Sequence, residues 1–419
     1  MSTPSLSEAT KVWAKIGFLS FGGPAGQIAL MHKEVVEVRN WLSERQFLNA
    51  LSFCMLLPGP EAMQLATFAG WRLHGTLGGI IAGLLFVLPG ACVILALATL
   101  YIHFGQLPSV EAIFLGIKAT VVIIVIEALL RVSTKALQNT SHWVLAALAF
   151  IAIFFLNLPY PLIILVAGLF GLFVSSPADE TVPSTETHSL SQTLRNVAIW
   201  IAIWWVPILA LDALLPASIL TEIAYFFSKL ATVTFGGAYA VLAYMGQDVV
   251  TAKEWLTAGQ MMDGLGLAET TPGPLILVTE FVGFLAGYAN AGWPTAILAA
   301  GITLWVTFTP CFLWIFAGAP YVEWISTQPR LRGALNAITA AVVGVILNLS
   351  VWFALHVFFG EVTLQQTGVF TLWLPTIISI NPIVVALAIL SGYLLLVRHM
   401  NLLWVLAISG LLGFASSLV

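Results

Sequence analysis

Long apolar runs alternate with short polar interruptions along the chain, without the strict two-residue alternation of a membrane β-strand. Runs at 77–103, 112–131, 142–157 and 160–174 occupy the first half, and runs at about 294–318, 333–354, 383–397 and 401–417 the second. A helix that crosses a bilayer needs roughly 20 apolar residues, so these runs predict a bundle of membrane spans. The stretches 142–174 and 383–417 fit one long tilted helix or two short ones equally well. Between the halves, the polar stretch Ser175–Asn196 predicts a loop. It leads into one unpaired apolar run of spanning length, Val197–Leu215.

The two halves are duplicates. Phe21-Gly22-Gly23 recurs 214 residues later as Phe235-Gly236-Gly237, Trp41-Leu42 as Trp255-Leu256, and Pro58-Gly59-Pro60 as Pro272-Gly273-Pro274. Across 18–60 against 232–274, 14 of 43 positions are identical without a gap, well above chance, which marks an internal repeat. The expected organisation is an N-terminal repeat at 1–174, a linker with one extra span at 175–225 and a C-terminal repeat at 226–419.

A single extra span between duplicates turns the second one upside down. Lys and Arg, which favour the cytoplasmic side, test that arrangement. Lys33, Arg39, Arg45, Arg72, Arg131 and Lys135 lie at run ends or in polar segments of the first half, and their counterparts retain only Lys253. The other loops, 103–111 and 157–161, have no Lys or Arg, whereas their counterparts carry Arg330, Arg332 and Arg398. Inversion puts nine of these ten charges on one side; a parallel arrangement splits them seven to three. The expected fold is all-α: a polytopic helical membrane protein with two inverted-topology repeats and a cytoplasmic N-terminus. The first residues lack a basic stretch followed by a long apolar one, so no cleavable signal is expected and the cytoplasmic membrane is the expected location.

Composition narrows the function. Of 419 residues 60% are hydrophobic and only 8% charged, with a mean hydropathy of +1.00. That excludes a soluble enzyme and a disordered chain. A net charge of −4 leaves no basic face for nucleic acid. Cys54, Cys92 and Cys311 are scattered without a CxxC spacing and read as packed core residues, so no metal or cofactor is expected.

The 34 Gly and 20 Pro are many for simple spans, and they gather at four breaks. Gly17–Pro24 and Leu56–Pro60 interrupt apolar segments in the first half, and 231–237 and 270–274 do so in the second. Pro-Gly-Pro cannot continue a helix, yet a proline suits the first turn of a new one. Each break therefore ends one half-helix and starts another, and residues 47–71 are expected to enter and return as a re-entrant hairpin. Non-helical backbone at membrane depth is tolerated only inside protein or beside water. A half-helix starting there aims free N–H groups and a positive dipole end into the site, which suits an anion. Taken singly, Gly-Gly more often serves close helix packing; recurrence of both motifs at one offset favours a site.

These stretches resemble the chromate transporter family in its long two-domain form. The resemblance is carried by Phe18-Leu19-Ser20-Phe21-Gly22-Gly23-Pro24 and by Leu56–Thr67, which begins Leu-Leu-Pro-Gly-Pro-Glu. In the second half it is carried by Thr234-Phe235-Gly236-Gly237-Ala238-Tyr239 and Gly266–Pro274. It implies an inner-membrane exporter of chromate, a tetrahedral dianion like sulfate, linked to the proton motive force. The expected partners are chromate or a sulfate-like oxyanion, protons and the lipid bilayer, with a homodimer left open and no nucleic acid.

Within this frame, the expected anion-binding set is Ser20, Gly22, Gly23, Gly59, Glu61, Gln64, Thr234, Gly236, Gly237, Thr270, Thr271 and Gly273. Hydroxyls and the Gln64 amide can donate to an oxyanion. Glu61, in the first turn of a half-helix, also fits a purely structural role on the dipole. Glu269, which the family motif includes, is the expected proton or coupling residue; capping backbone amides near the break is the plainer alternative. Lys118 and Arg72 are candidates for attracting the anion, against snorkelling for Lys118 and simple topology for Arg72. Glu127, four residues before Arg131, predicts a local ion pair. Glu280 follows the second Pro-Gly-Pro with no direction assigned. His32, Glu34 and Glu37 read as a solvated interfacial helix. Sulfate transport is a rival function. An intramembrane enzyme on lipid phosphate is another, but no HExxH, P-loop or GxSxG motif supports it.

Overall fold

Helix starts and stops follow the local chemistry of the chain. A computed structural model describes residues 4–21, 23–174, 190–235, 237–322 and 328–418. Helix α1, Leu6–Leu19, opens on Ser5, whose Oγ accepts from the Glu8 N–H at 3.2 Å. Helix α2, Gly23–His32, runs into a π turn, Lys33–Val38. Helix α3, Glu44–Leu56, starts with a capping box between Ser43 and Gln46. Helix α4, Glu61–Phe104, begins directly after Pro60. It is folded back on itself at His74 and Gly75, the latter at φ 63° and ψ −156°. Its two arms pack closely: a Cβ on Gly70 would lie 2.3 Å from the carbonyl oxygen of Gly78.

The next helices are α5 (Pro108–Ala136), α6 (Thr140–Phe154), α7 (Tyr160–Val174) and α8 (Leu190–Leu214). The expected loop at 175–196 lies outside the described residues up to position 189. The broken pattern then repeats. Helices α9 (Ile219–Val233) and α10 (Ala238–Gln247) are followed by a π turn, Asp248–Ala252. Helix α11, Ala258–Thr270, precedes a 3-10 turn, Leu275–Leu277, and α12, Val278–Ala291. Gly292, at φ 75° and ψ −157°, reverses the chain into α13, Trp293–Gly318, with the backbone geometry seen at Gly75. Helix α14 is Pro329–Phe358, α15 Pro382–Gly392 and α16 Leu402–Ser416. All four breaks fall where the prolines and glycines place them.

Among the described residues, five stretches are long and apolar enough to cross a membrane: 61–104, 108–136, 191–214, 293–321 and 329–358. The ambiguous runs resolve as pairs of short helices, α6 with α7 and α15 with α16. Each has 15 residues or fewer in α form, about 22 Å at 1.5 Å per residue. That is short of the ~30 Å hydrocarbon core. A small antiparallel hairpin also stands outside the helical expectation. Strands β1 (Val362–Thr367) and β2 (Phe370–Pro375) pair with Thr367 opposite Phe370. The Thr371 N–H of this hairpin donates to the Phe155 carbonyl at the end of α6 at 2.8 Å.

The chain forms two compact units, each drawn from both halves of the sequence. Unit 1 is Met1–Ala96, Ser175–Ala238 and Thr271–Arg332; unit 2 is Leu97–Val174, Tyr239–Thr270 and Gly333–Val419. In unit 1, α12 packs antiparallel to α13, and α8 and α9 lie against α13. Trp200 stacks on Phe312 at 5.4 Å. In unit 2, α5 is central, packed against α11, α15 and α16. Lipid tails are as apolar as leucine, so helices in a membrane are held by close approach and interhelical hydrogen bonds. Unit 2 uses both. Gly116 lets α5 approach the Ser409 carbonyl so closely that a Cβ would sit 1.9 Å from it. Beside it, Thr120, Ser391 and Ser409 form a buried hydroxyl chain with 2.9 Å links.

Candidate functional site

The site in unit 1 is made of crossed hairpin tips. The Gly59 N–H donates to the Thr234 carbonyl at 2.8 Å, and the Gly273 N–H donates to the Ser20 carbonyl at 2.9 Å. These two bonds are the same bond under the 214-residue offset: 59 corresponds to 273, and 234 to 20. Both glycines have positive φ, +120° at Gly59 and +90° at Gly273, which turns their N–H groups toward the partner tips. Gly59 also has no room for a side chain. A Cβ there would meet Gln64 Nε2 at 2.8 Å and Cys311 Sγ at 2.9 Å.

Two buried glutamines brace the tips. Gln64 donates from Nε2 to the Pro58 carbonyl at 2.7 Å. Gln27 donates from Nε2 to the Gly273 carbonyl at 2.6 Å and to that of Ser20 at 3.4 Å. The Oε1 atoms of both are buried without a hydrogen-bond partner. Gln27 is an addition to the expected set. Its only mark in the sequence is being a lone amide in the apolar first turns of α2, at a position that is Val241 in the second half.

The hydroxyls are committed differently from expectation. Ser20 and Thr234 are buried and donate to the carbonyls of Ile16 and Leu230, each at 2.6 Å. Thr270 donates to Leu267 at 2.8 Å. Those protons serve their own helix ends. Three amides of the first turn of α4, at Glu61, Ala62 and Met63, have no carbonyl one turn back in their own helix. Glu61 is half-buried on that turn, and Thr271 is buried. Gly23 and Gly237 have φ of +69° and +94°, and no described atom lies within 4 Å of a Cβ built on either. They serve the backbone turn and not close packing. Gly22 and Gly236 lie outside the described residues. Arg72 is exposed on α4, two residues before the fold at His74.

The remaining candidates lie in unit 2. Glu269 is 8% exposed and accepts from the Tyr239 hydroxyl at 2.8 Å. Glu127 and Arg131 form the expected pair at 2.5 Å. Lys118 is held by Asp263 at 3.2 Å, and Asp263 also accepts from the Tyr101 hydroxyl at 2.8 Å. Lys118 is thus half of an internal ion pair, and Asp263 is the residue the sequence pattern left unmarked. Of the cysteines, Cys54 and Cys311 are buried as expected, but Cys92 is exposed.

The connection after α2 is also built differently from a solvated helix. Glu34 is 5% exposed, bonded to Lys15 at 2.6 Å and paired with Arg39. The Lys15 ammonium, together with Arg39, holds its carboxyl below the usual range. The same three charges recur 214 residues on as Lys229, Asp248 and Lys253. His32 bonds Glu44 at 2.7 Å and Glu37 at 3.1 Å, and the Glu44 hydrogen bond, more than any other influence, raises its pKa above 6.5. The folded state therefore binds this proton more tightly than the unfolded one. The stability it contributes is complete below about pH 6.5 and is lost as pH rises through the raised value. Thermal unfolding of His32→Gln in detergent is expected to converge on the parent at alkaline pH and fall below it at mildly acid pH. A constant difference across pH would refute this.

Fold and site together define a polytopic helical membrane protein built on duplicated, broken helices whose tips bond reciprocally. The chain belongs to the chromate transporter family, whose profile matches residues 7–172 and 221–414. It is 29% identical over 404 residues to a "probable chromate transport protein" of Synechococcus elongatus, covering 93% of this chain and 95% of that one. It is 31% identical over 342 residues to a chromate transport protein of Pseudomonas aeruginosa, covering 79% and 77%. With the chromate transport protein of Cupriavidus metallidurans it shares 28% over 345 residues, covering 82% and 81%. No solved structure matches the chain.

Proposed function

We propose that this protein exports chromate across the cytoplasmic membrane by alternating access, driven by the proton motive force. The observation that carries this reading is the reciprocal pair of bonds, Gly59 to Thr234 and Gly273 to Ser20. Backbone amides at half-helix starts are the donors by which a tetrahedral dianion is held without burying many cations. Hydrogen bonds to a charged acceptor are about twice as strong as neutral ones. Cargo therefore competes for the two tip amides, and loading exchanges tip-to-tip bonds for tip-to-anion bonds. One inverted repeat rocks against the other as the tips part and re-cross. The N-terminus is cytoplasmic, which puts Arg72 at the inner mouth. Moving a dianion outward across an inside-negative membrane releases about 4.6 kcal/mol per 100 mV, twice the single-charge value. Glu269 adds the pH gradient to that drive.

The test is uptake of labelled chromate into proteoliposomes under imposed potential and pH gradients. Saturable uptake that responds to both is expected. Absence of saturable flux at any potential would refute the reading. Half-helix termini read charge and shape, so sulfate is expected to compete; a lower inhibition constant for sulfate than for chromate would reassign the cargo.

A further inference from the structure

Glu280 is 1% exposed on α12, and its Oε2 has no hydrogen-bond partner. Burying an isolated carboxylate is costly, and buried ionised groups are normally paired. Among the described residues it makes no ion pair. Helix α12 carries no other Asp, Glu, Lys or Arg, and neither do α13, the 3-10 turn Leu275–Leu277 or the second arm of α4 from Gly75 to Ala98. Helix α9 carries only Glu222 and Lys229, both exposed. Cys311 on α13 is the other titratable side chain among these buried faces.

The register of α12 on α13 sets which side chains lie beside Glu280. A Cβ on Gly287 would meet Ala299 at 2.7 Å, and one on Gly283 would meet Thr303 Oγ1 at 2.2 Å. These contacts fix the antiparallel register of α12 on α13. Continued by one turn, it brings Glu280 against the turn of α13 that holds Thr307. The Thr307 Oγ1 is buried and unpartnered, as is Ser228 Oγ on α9, the helix packed on both α12 and α13. One turn beyond Thr307 lies Cys311, whose Sγ stands at the Gly59 tip. Glu280 and Thr307 thus lie on adjoining turns, and Cys311 donates to the Thr307 carbonyl.

We propose that Glu280 is a second proton-carrying residue of this transporter, held as the neutral acid while the tips are crossed. It exchanges its proton with water when parting of the tips opens the Thr307 side of α13. The inference rests on the transport reading and adds to it a carboxylate in unit 1, separate from Glu269. Its position in the first half has Ala66, so the device belongs to one repeat alone.

The test combines infrared difference spectroscopy of the detergent-purified protein with flux. At neutral pH the parent is expected to show the C=O stretch of a buried protonated carboxyl, reduced in Glu280→Gln. Thr307→Val, which keeps the acid, is expected to shift that band without removing it. In proteoliposomes Glu280→Gln is expected to lower the response of chromate flux to an imposed pH gradient about two-fold or more while potential-driven flux persists. A band identical in parent and both variants, or an unchanged gradient response, overturns the proposal. If the parent moves no chromate, the transport reading fails, and the infrared result still decides the protonation of Glu280.

Discussion

Gly59→Ala is expected to abolish chromate flux, and Gly273→Ala to reduce it at least about ten-fold. A φ of +120° at Gly59 or +90° at Gly273 is strained for alanine, a cost of about 1 kcal/mol or more. At Gly59 the new Cβ also drives into Gln64 Nε2 and Cys311 Sγ. Relief requires the tip to withdraw, which breaks the bond to Thr234 and leaves a buried carbonyl unpaired for roughly 1–3 kcal/mol. At Gly273 the nearest obstacle is the flexible end of Leu277, at 3.1 Å, so the backbone conformation dominates and the loss is smaller. Gly301 is the control. It sits on α13 with no described atom within 4 Å of a Cβ, so Gly301→Ala is expected to keep parent flux and to gain a little helix stability. Flux per reconstituted protein and thermal unfolding, measured on all three, settle the matter. Parent-like flux in Gly59→Ala would remove the crossed tips from the mechanism.

The sequence pattern located the four breaks, for a physical reason. Proline and glycine constrain the backbone locally, so Pro58-Gly59-Pro60 and its repeat mark breaks whatever surrounds them. Duplication then told which breaks belong together. What the pattern could not carry was partnership across the fold. Ser20 and Thr234 look like anion donors as residue types, but their protons are spent on carbonyls four residues back, a bond common to any hydroxyl at a helix end. Lys118 looks unpaired because its partner, Asp263, is 145 positions away and lies on another helix. Gln27 reaches a carbonyl 246 residues on. The Lys15–Glu34–Arg39 cluster was legible in principle, since its charges recur at the repeat offset. Length left two readings open: α6, α7, α15 and α16 come from apolar runs that fit one long helix or two short ones. Only the turn residues between them, at 155–159 and 398–401, mark the division.

Glu269→Gln is expected to strip chromate flux of most of its response to an imposed pH gradient and to spare the potential-driven component. The carboxylate is buried with one neutral donor, the Tyr239 hydroxyl at 2.8 Å, while the charges of Glu127 and Arg131 act on it from nearby. Such a group binds and releases a proton at a cost that small rearrangements change, which is what coupling needs. Glutamine keeps the shape and the Tyr239 contact but cannot release a proton. A capping role would respond in the opposite way: glutamine still accepts backbone hydrogen bonds, so flux and gradient response would both stay near parent. Tyr239→Phe separates the two further, because it leaves the titrating group in place and removes its donor; the pH midpoint of flux is expected to move while the gradient response survives. In Glu269→Gln/Glu280→Gln, both carriers are gone, and flux should follow the membrane potential alone. A gradient response persisting in that double variant would place proton coupling on another group, and the buried Asp263, with Lys118 and Tyr101 as its partners, is where the ionisable chemistry of unit 2 then points.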